Sequence, residues 1–226
     1  MSATTSPGSA SARAEVLRRI RIALGDVPRI EEQAIHAEWE AIPRDYIRSA
    51  TRQHATIIEL LEDRLRDYDA TVVRAQLGTV SAQITRMLRD RKLRSLVVPA
   101  GLGEALGEPL PAGFEFLTDT VFSPAELDAF DGVVTAATLA IAETGTIVLQ
   151  NVPGQGRRAP TLVPDYHLCI VRAADVVETV PEAFARLAAT ADLATTFISG
   201  PSATADIEMT RIKGVHGPRT LDVILV

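Results

Sequence analysis

Residues 71–98 read TVVRAQLGTVSAQITRMLRDRKLRSLVV. The stretch opens on a β-branched apolar segment, Thr71–Arg74, and closes on another, Ser95–Val98. Between them Val80, Ile84, Met87 and Leu88 recur at helical spacing. A change of period from two to 3.6 and back predicts two parallel strands joined by a crossover helix. The alternation resumes downstream. Gly132–Thr135, Ala140–Ala142, Thr146–Gln150, His167–Val171 and Thr195–Ser199 read as strands, with Thr144-Gly145 turning the second and third into a hairpin. Ser123-Pro124-Ala125-Glu126 and Thr179-Val180-Pro181-Glu182 are capping boxes that start helices. The last segment, Leu221–Val226, is too apolar for a sheet edge and belongs inside the sheet.

Working toward the N-terminus, Ile58, Leu61, Leu65 and Tyr68 mark the buried stripe of a helix from about Thr51 to Asp67, with His54 on the same stripe as a packing histidine. That helix opens the main α/β domain, residues 51–226. Residues 14–50 read as an N-terminal helical arm: Val16, Leu17, Ile20 and Leu24 form one helix ending at Gly25, and the stretch from Val27 to Ser49, punctuated by Pro28 and Pro43, reads as irregular, with Trp39 as a packing or oligomer contact. Residues 1–13 read as a disordered tail.

The chain has 226 residues, 46% hydrophobic and 23% charged, an ordinary globular composition. A single cysteine, Cys169, excludes an internal disulfide framework and a four-thiolate metal or iron–sulfur site. No apolar run is long enough to span a membrane, and the start lacks a signal core, so a cytoplasmic location is expected. Net charge is −6, which argues against nucleic acid as a partner. After residue 100 the seven cations face sixteen carboxylates, yet five of the seven crowd into two glycine-bearing segments: Arg157 and Arg158, then Arg211, Lys213 and Arg219. Gathered cations in an acidic half point to a local anion site.

Dinucleotide fingerprints fail. Gly101-Leu102-Gly103 has its next glycine one place too late, and Gly154-Gln155-Gly156 runs into Pro160 and Pro164, where no crossover helix can start. The four histidines are too dispersed for a local metal motif, so no metal site is expected. His167 and Cys169 sit in a buried strand and read as structural.

Three segments carry chemistry instead. Ala142-Glu143-Thr144-Gly145-Thr146 puts a carboxylate at a tight turn at a strand end, where α/β sheets bind ligands. Ser199-Gly200-Pro201-Ser202-Ala203-Thr204, continuing to Asp206 and Glu208, offers hydroxyls and bare backbone N–H groups, and a short helix from Pro201 would aim its N-terminus at an anion. Arg211 through Arg219 brackets His216 between Gly214 and Gly217 beside Lys213. An imidazole among cations on a glycine-bearing loop suits carboxylate or phosphate recognition, or proton transfer. Glu143 and His216 are the candidate catalytic groups. Thr144, Gly145, Ser199, Gly200, Ser202, Thr204, Asp206, Glu208, Lys213, Gly214, Gly217 and Arg219 are the candidate ligand-binding residues.

In order and spacing these three segments resemble the lactate-utilisation protein C family, the LUD-domain proteins. The resemblance is strong over residues 132–226 and weaker over 70–131. It implies a three-layer α/β/α sheet similar to the ribose-phosphate isomerase and CoA-transferase-like folds. It also implies a subunit role in oxidising L-lactate to pyruvate beside iron–sulfur partner proteins. With one thiol this chain holds no such cluster itself, so no cofactor is expected on it and electron transfer would lie in the partners. CoA transferases of similar fold place a nucleophilic glutamate before Asn-Gly; here Glu143 precedes Thr144-Gly145. Two other readings stand beside this one. The first is a free-standing enzyme acting on a CoA-, folate- or sugar-phosphate-like anion with Glu143 as base or nucleophile. The second is a regulatory or assembly protein whose arm mediates homo-oligomer contacts.

Overall fold

A computed structural model describes residues 7–25, 31–204, 212–214 and 216–226, with backbone alone at 7–11, 204, 212 and 213. The chain divides into two units, Met1–Tyr46 and Ile47–Val226. The smaller holds helices α1 (Pro7–Leu24) and α2 (Glu32–Ala41). Helix α1 begins seven residues before the Ala14 that apolar spacing marks: Pro7 and Gly8 fall in its first turn, and the Ser/Ala/Arg residues after them contain no breaker. Glu15 bonds both Arg18 and Arg19, at 2.8 and 2.9 Å. Helix α2 occupies a stretch read as irregular. Its Glu/Ala/Gln/Ile content favours helix, and the prolines flank it without interrupting it. It stops at Ile42, which is extended as a residue preceding proline should be. The Arg44 guanidinium lies 5.0 Å from the Trp39 ring centre and donates to the Trp39 carbonyl, while the Trp39 side chain stays largely exposed.

The larger unit runs α3 (His54–Asp67), β1 (Thr71–Arg74), α4 (Val80–Asp90), β2 (Ser95–Val98), α5 (Leu102–Leu106), β3 (Glu115–Thr118), α6 (Pro124–Asp128), β4 (Gly132–Ala136), β5 (Leu139–Ile141) and β6 (Thr146–Gln150). It continues through β7 (Tyr166–Val171), β8 (Val176–Val177), α7 (Val180–Leu187), β9 (Thr195–Ile198), β10 (Ala203–Thr204), β11 (Ile212–Lys213) and β12 (Thr220–Leu225). Six strands form a wholly parallel sheet in the order β1-β12-β7-β4-β2-β3. The apolar last strand is interior, as its composition requires. A smaller mixed sheet has the order β8-β5-β6-β9, with the 139–150 hairpin at its centre. Both capping boxes form, at Ser123 and Thr179.

Helices flank the parallel sheet on both sides in a three-layer α/β/α arrangement. On one face α4 and α5 pack Val80, Ile84, Leu88 and Leu102 onto Leu96, Leu168, Ile170 and Ile224. The opposite face presents Cys169, Val171, Leu221 and Val223 to α3 and to the small sheet. Helix α7 closes the small sheet from outside. The α3 stripe is Ile57, Ile58, Leu61 and Leu65, with Tyr68 only half-buried. His54 is not the packing residue that its spacing suggests. It sits exposed in the first turn, its Nε2 2.9 Å from the Ala173 carbonyl oxygen.

One charge enters the centre of this sheet. Asp222 on β12 is 1% exposed and is held by both arms of Arg91, at 2.6 and 2.5 Å, and by the Tyr166 hydroxyl at 2.9 Å. Burial, with the Asp222 carboxylate beside it, raises the Tyr166 pKa, so the phenol remains a donor. Removing one partner of a buried ion pair strands the other charge. Arg91→Ala should therefore cost about 3 kcal/mol, read as a lower urea midpoint at unchanged slope, whereas Arg91→Met with Asp222→Leu should recover most of the loss.

Candidate functional site

The C-terminal half of α3 supports two of the chemistry-bearing loops. Gly145 turns the β5–β6 hairpin at φ +58°, and a Cβ there would lie 2.8 Å from that of Arg64. Gly200, at φ +83°, would place a Cβ 2.5 Å from that of Tyr68. Glycine is needed at both for the same two reasons: a left-handed backbone and direct contact with the helix. With both loops seated, Thr144 Oγ1 lies 2.7 Å from Thr146 Oγ1, which lies 2.8 Å from Ser199 Oγ. Three hydroxyls thus join the hairpin turn to the loop after β9.

Ser202 fastens that loop to the next. Its N–H donates to the Pro218 carbonyl at 2.8 Å, its carbonyl accepts from Gly214 N–H at 3.0 Å, and its Oγ accepts from His216 N–H at 3.1 Å. Gly217 sits against the same side chain. The helix expected from Pro201 does not form. After Ser202 the chain enters β10, paired antiparallel with β11 in the register Ala203↔Lys213, so the Ser202 polar groups that would open a helix are spent on this pairing and on the 214–218 loop. Asp206 and Glu208 lie outside the described residues, and for Thr204 and Lys213 only the backbone is described.

Between these loops, β9 and the 158–162 turn lies a cleft of about 270 Å³. Its lining includes Ser199, Gly200, Ser202, His216 and Gly217 from the sequence-derived set, and Arg158, Thr161 and His167 besides. Arg158 is exposed, and its guanidinium has no partner among the described residues. The adjacent Arg157 is engaged: it forks onto Asp119 at 2.6 and 3.0 Å and donates to the Phe122 carbonyl. Arg219, expected as an anion ligand, is also spoken for by a two-point pairing with Asp165. The register explains this, because Thr220 opposes Tyr166 and the residues preceding them are therefore neighbours.

Glu143 is placed elsewhere. It stands at the hairpin end, half-exposed, 3.7 Å from Arg52 Nη1, and is not among the residues lining the cleft. The same guanidinium bonds Glu178, a buried carboxylate that accepts from the backbone N–H groups of Thr51 at 2.6 Å and Arg52 at 3.0 Å. Those bonds, led by the Arg52 N–H, hold Glu178 below the usual carboxylate range. The structure therefore joins the Thr144 turn to the Ser199 loop while leaving the Glu143 carboxylate in an ion-pair cluster with Arg52.

His167, read from sequence as structural, forms part of the cleft wall although it is only 1% exposed. Its Nε2 is 2.8 Å from Thr135 Oγ1, whose hydroxyl donates to Cys169 Sγ at 3.6 Å. Burial pushes the imidazole pKa down to about 4 and the Cys169 thiol up to about 12, so both are neutral near pH 7. Neither Arg158 nor His167 stands out by spacing. The signal for Arg158 was its place in a crowded cation pair, and the one for His167 was a strand position beside Thr135 that only the β4–β7 register reveals.

A second cleft, about 220 Å³, opens at the C-terminal ends of β4, β7 and β12, with Gln155 and Arg172 among otherwise largely apolar residues. Ligands of parallel sheets commonly sit at that edge. Here Arg172 already donates to the Ala105 carbonyl, and the hydroxyl and imidazole groups gather at the opposite edge. Among the described residues no three His, Cys, Asp or Glu side chains stand together as metal ligands would, and no helix is long and apolar enough to cross a membrane.

Comparison with known proteins places residues 124–226 in the LUD domain family. The chain is 39% identical over 227 residues to lactate utilization protein C of Deinococcus radiodurans, covering 99% of each. It is 26% identical to the uncharacterized protein YkgG of Escherichia coli K12, over 91% of this chain and 94% of that one. A crystal structure of a DUF162 family protein from Deinococcus radiodurans superposes with a TM-score of 0.67 at 38% identity, covering 77% of this chain and 99% of the other.

The low pKa of His167 has a consequence for stability. An unfolded imidazole takes up a proton below about 6.5, whereas folded His167 does so only near 4. Between these values the unfolded chain holds more protons, so stability falls as pH drops through the window, by roughly 3 kcal/mol in all. Urea unfolding of the wild type and of His167→Gln at pH 7, 6, 5 and 4 should show the wild type losing that much more than the variant.

Proposed function

The chain belongs to the lactate utilization protein C family of LUD-domain proteins, and on that premise we propose that it serves L-lactate utilisation as a carboxylate-binding subunit. In this reading the cleft beside Arg158 receives a small carboxylate, and electrons pass through iron–sulfur partner proteins in the cytoplasm. The observation that carries the reading is Arg158: a guanidinium with no partner among the described residues, on the wall of a cleft that also holds Ser199, Ser202 and His216. A guanidinium presents the paired donors that a carboxylate accepts, and the loop hydroxyls supply further donors. The electron-transfer assignment is supported by thiol chemistry, since the one cysteine is buried in β7 and offers no cluster ligands. The Deinococcus radiodurans relative carries lactate utilization in its name.

The genetic expectation is that deleting the gene abolishes growth on L-lactate while growth on pyruvate continues. Wild type restores growth and Arg158→Ala does not. Unimpaired growth of the deletion strain on lactate, in a background with no other lactate dehydrogenase, overturns the proposal. In vitro, L-lactate, pyruvate or phosphate should raise the melting temperature. The gain follows RT ln(1 + [L]/Kd), about 2.7 kcal/mol at a hundredfold excess over Kd. Added salt should diminish the shift, and Arg158→Ala should remove it without lowering the melting temperature of the free protein, because an exposed cation contributes little to stability.

A further inference from the structure

Of the polar side chains lining the cleft, His167 is the most deeply buried, and its ring is only half satisfied. Nε2 is bonded to Thr135, while Nδ1 has no hydrogen-bond partner among the described residues. No side-chain nitrogen or oxygen sealed from solvent lacks a partner among those residues. Nδ1 therefore keeps an opening, and His167 lines this cleft.

The Thr135 hydroxyl joins the ring to Cys169, and its single proton couples the two contacts. The Thr135 hydroxyl has one proton and gives it to Cys169 Sγ. In that sense its oxygen accepts from His167 and Nε2 carries the ring proton; were the Cys169 thiol to donate to Thr135 and Thr135 to Nε2, the proton would sit on Nδ1 instead. The first arrangement leaves Nδ1 as a bare lone pair, an acceptor held by two neighbours in the core of the sheet.

We infer that His167 is a specificity residue of the cleft, whose Nδ1 accepts a hydrogen bond from a ligand hydroxyl while Arg158 holds the ligand's carboxylate. The inference rests on the carboxylate-binding reading and narrows it to hydroxycarboxylates. A ketone or a methylene in place of the hydroxyl has no proton to offer and leaves the buried acceptor unmet, which a site built on a fixed hydrogen bond penalises. The hydroxy acid and the oxo acid made from it are thus told apart by the direction of one hydrogen bond.

The test is calorimetric titration of the full chain with L-lactate, glycolate, pyruvate, propionate and inorganic phosphate. Lactate and glycolate should bind at least tenfold more tightly than pyruvate and propionate. In His167→Phe that ratio should fall to near one, with phosphate affinity retained. Thr135→Val removes the oxygen that fixes the tautomer, so it should narrow the lactate-to-pyruvate ratio. The ring ¹⁵N spectrum of the wild type gives a reading that needs neither ligand nor variant: Nε2 should be the protonated nitrogen, and a protonated Nδ1 overturns the inference even if His167→Phe fails to fold. If all four carboxylates bind equally and Arg158→Ala abolishes them, the hydroxyl assignment is wrong and the carboxylate cleft stands. If no anion binds, both fall.

Discussion

The parallel pairing of β12 with β1 on one side and β7 on the other constrains nearly every other feature of the larger unit. Arg74 and Leu225 are partners across that ladder although most of the domain lies between them in sequence. β12 is covered on both faces, and its one charge, Asp222, must be met by Arg91 and Tyr166 from other elements. The β12–β7 register sets Leu221 opposite His167 and, two steps earlier, brings Arg219 onto Asp165. A slip of one residue would reverse which β12 side chains face the small sheet and would break up the cleft wall. The cleft is lined from both β7 and β12, so it is complete only with the last strand in place.

Against that frame, the parts legible in sequence were those with local causes. The strand–helix–strand alternation of 71–98, the capping boxes at Ser123 and Thr179, and the turn at Thr144-Gly145 each depend on neighbours within a few residues, and each forms. The interior place of β12 followed from hydropathy alone. Less legible were α2, hidden because its flanking prolines looked like interruptions, and β3, whose side chains are only partly covered. The separation into two sheets was not legible either, because the hairpin's partner β9 lies far along the chain and its pattern is no different from that of a strand in the main sheet.

The site shows the same division. Glycines at 145 and 200 were visible as turn residues, yet the reason they are glycine is the flank of α3, a tertiary fact. Adjacent Arg157 and Arg158 look equivalent in sequence. One is committed to Asp119 and the other faces the cleft, and what separates them is only which way each side chain leaves the turn. Arg219 looked available because nothing local competes for it; its partner lies one strand over. His167 looked like core because it is core, and its role arises from a single nitrogen.

Thr146 has a second acceptor in the Thr144 carbonyl at 3.4 Å, so the Thr144, Thr146 and Ser199 hydroxyls by themselves do not set which way the Ser199 proton points. Whatever meets Ser199 at the cleft does. A ligand oxygen that accepts there draws the Ser199 proton toward the cleft, and a ligand that donates leaves that proton for Thr146. The Thr144 hydroxyl, on the hairpin turn and outside the residues lining the cleft, is thus joined to Ser199 through two hydrogen bonds rather than by contact.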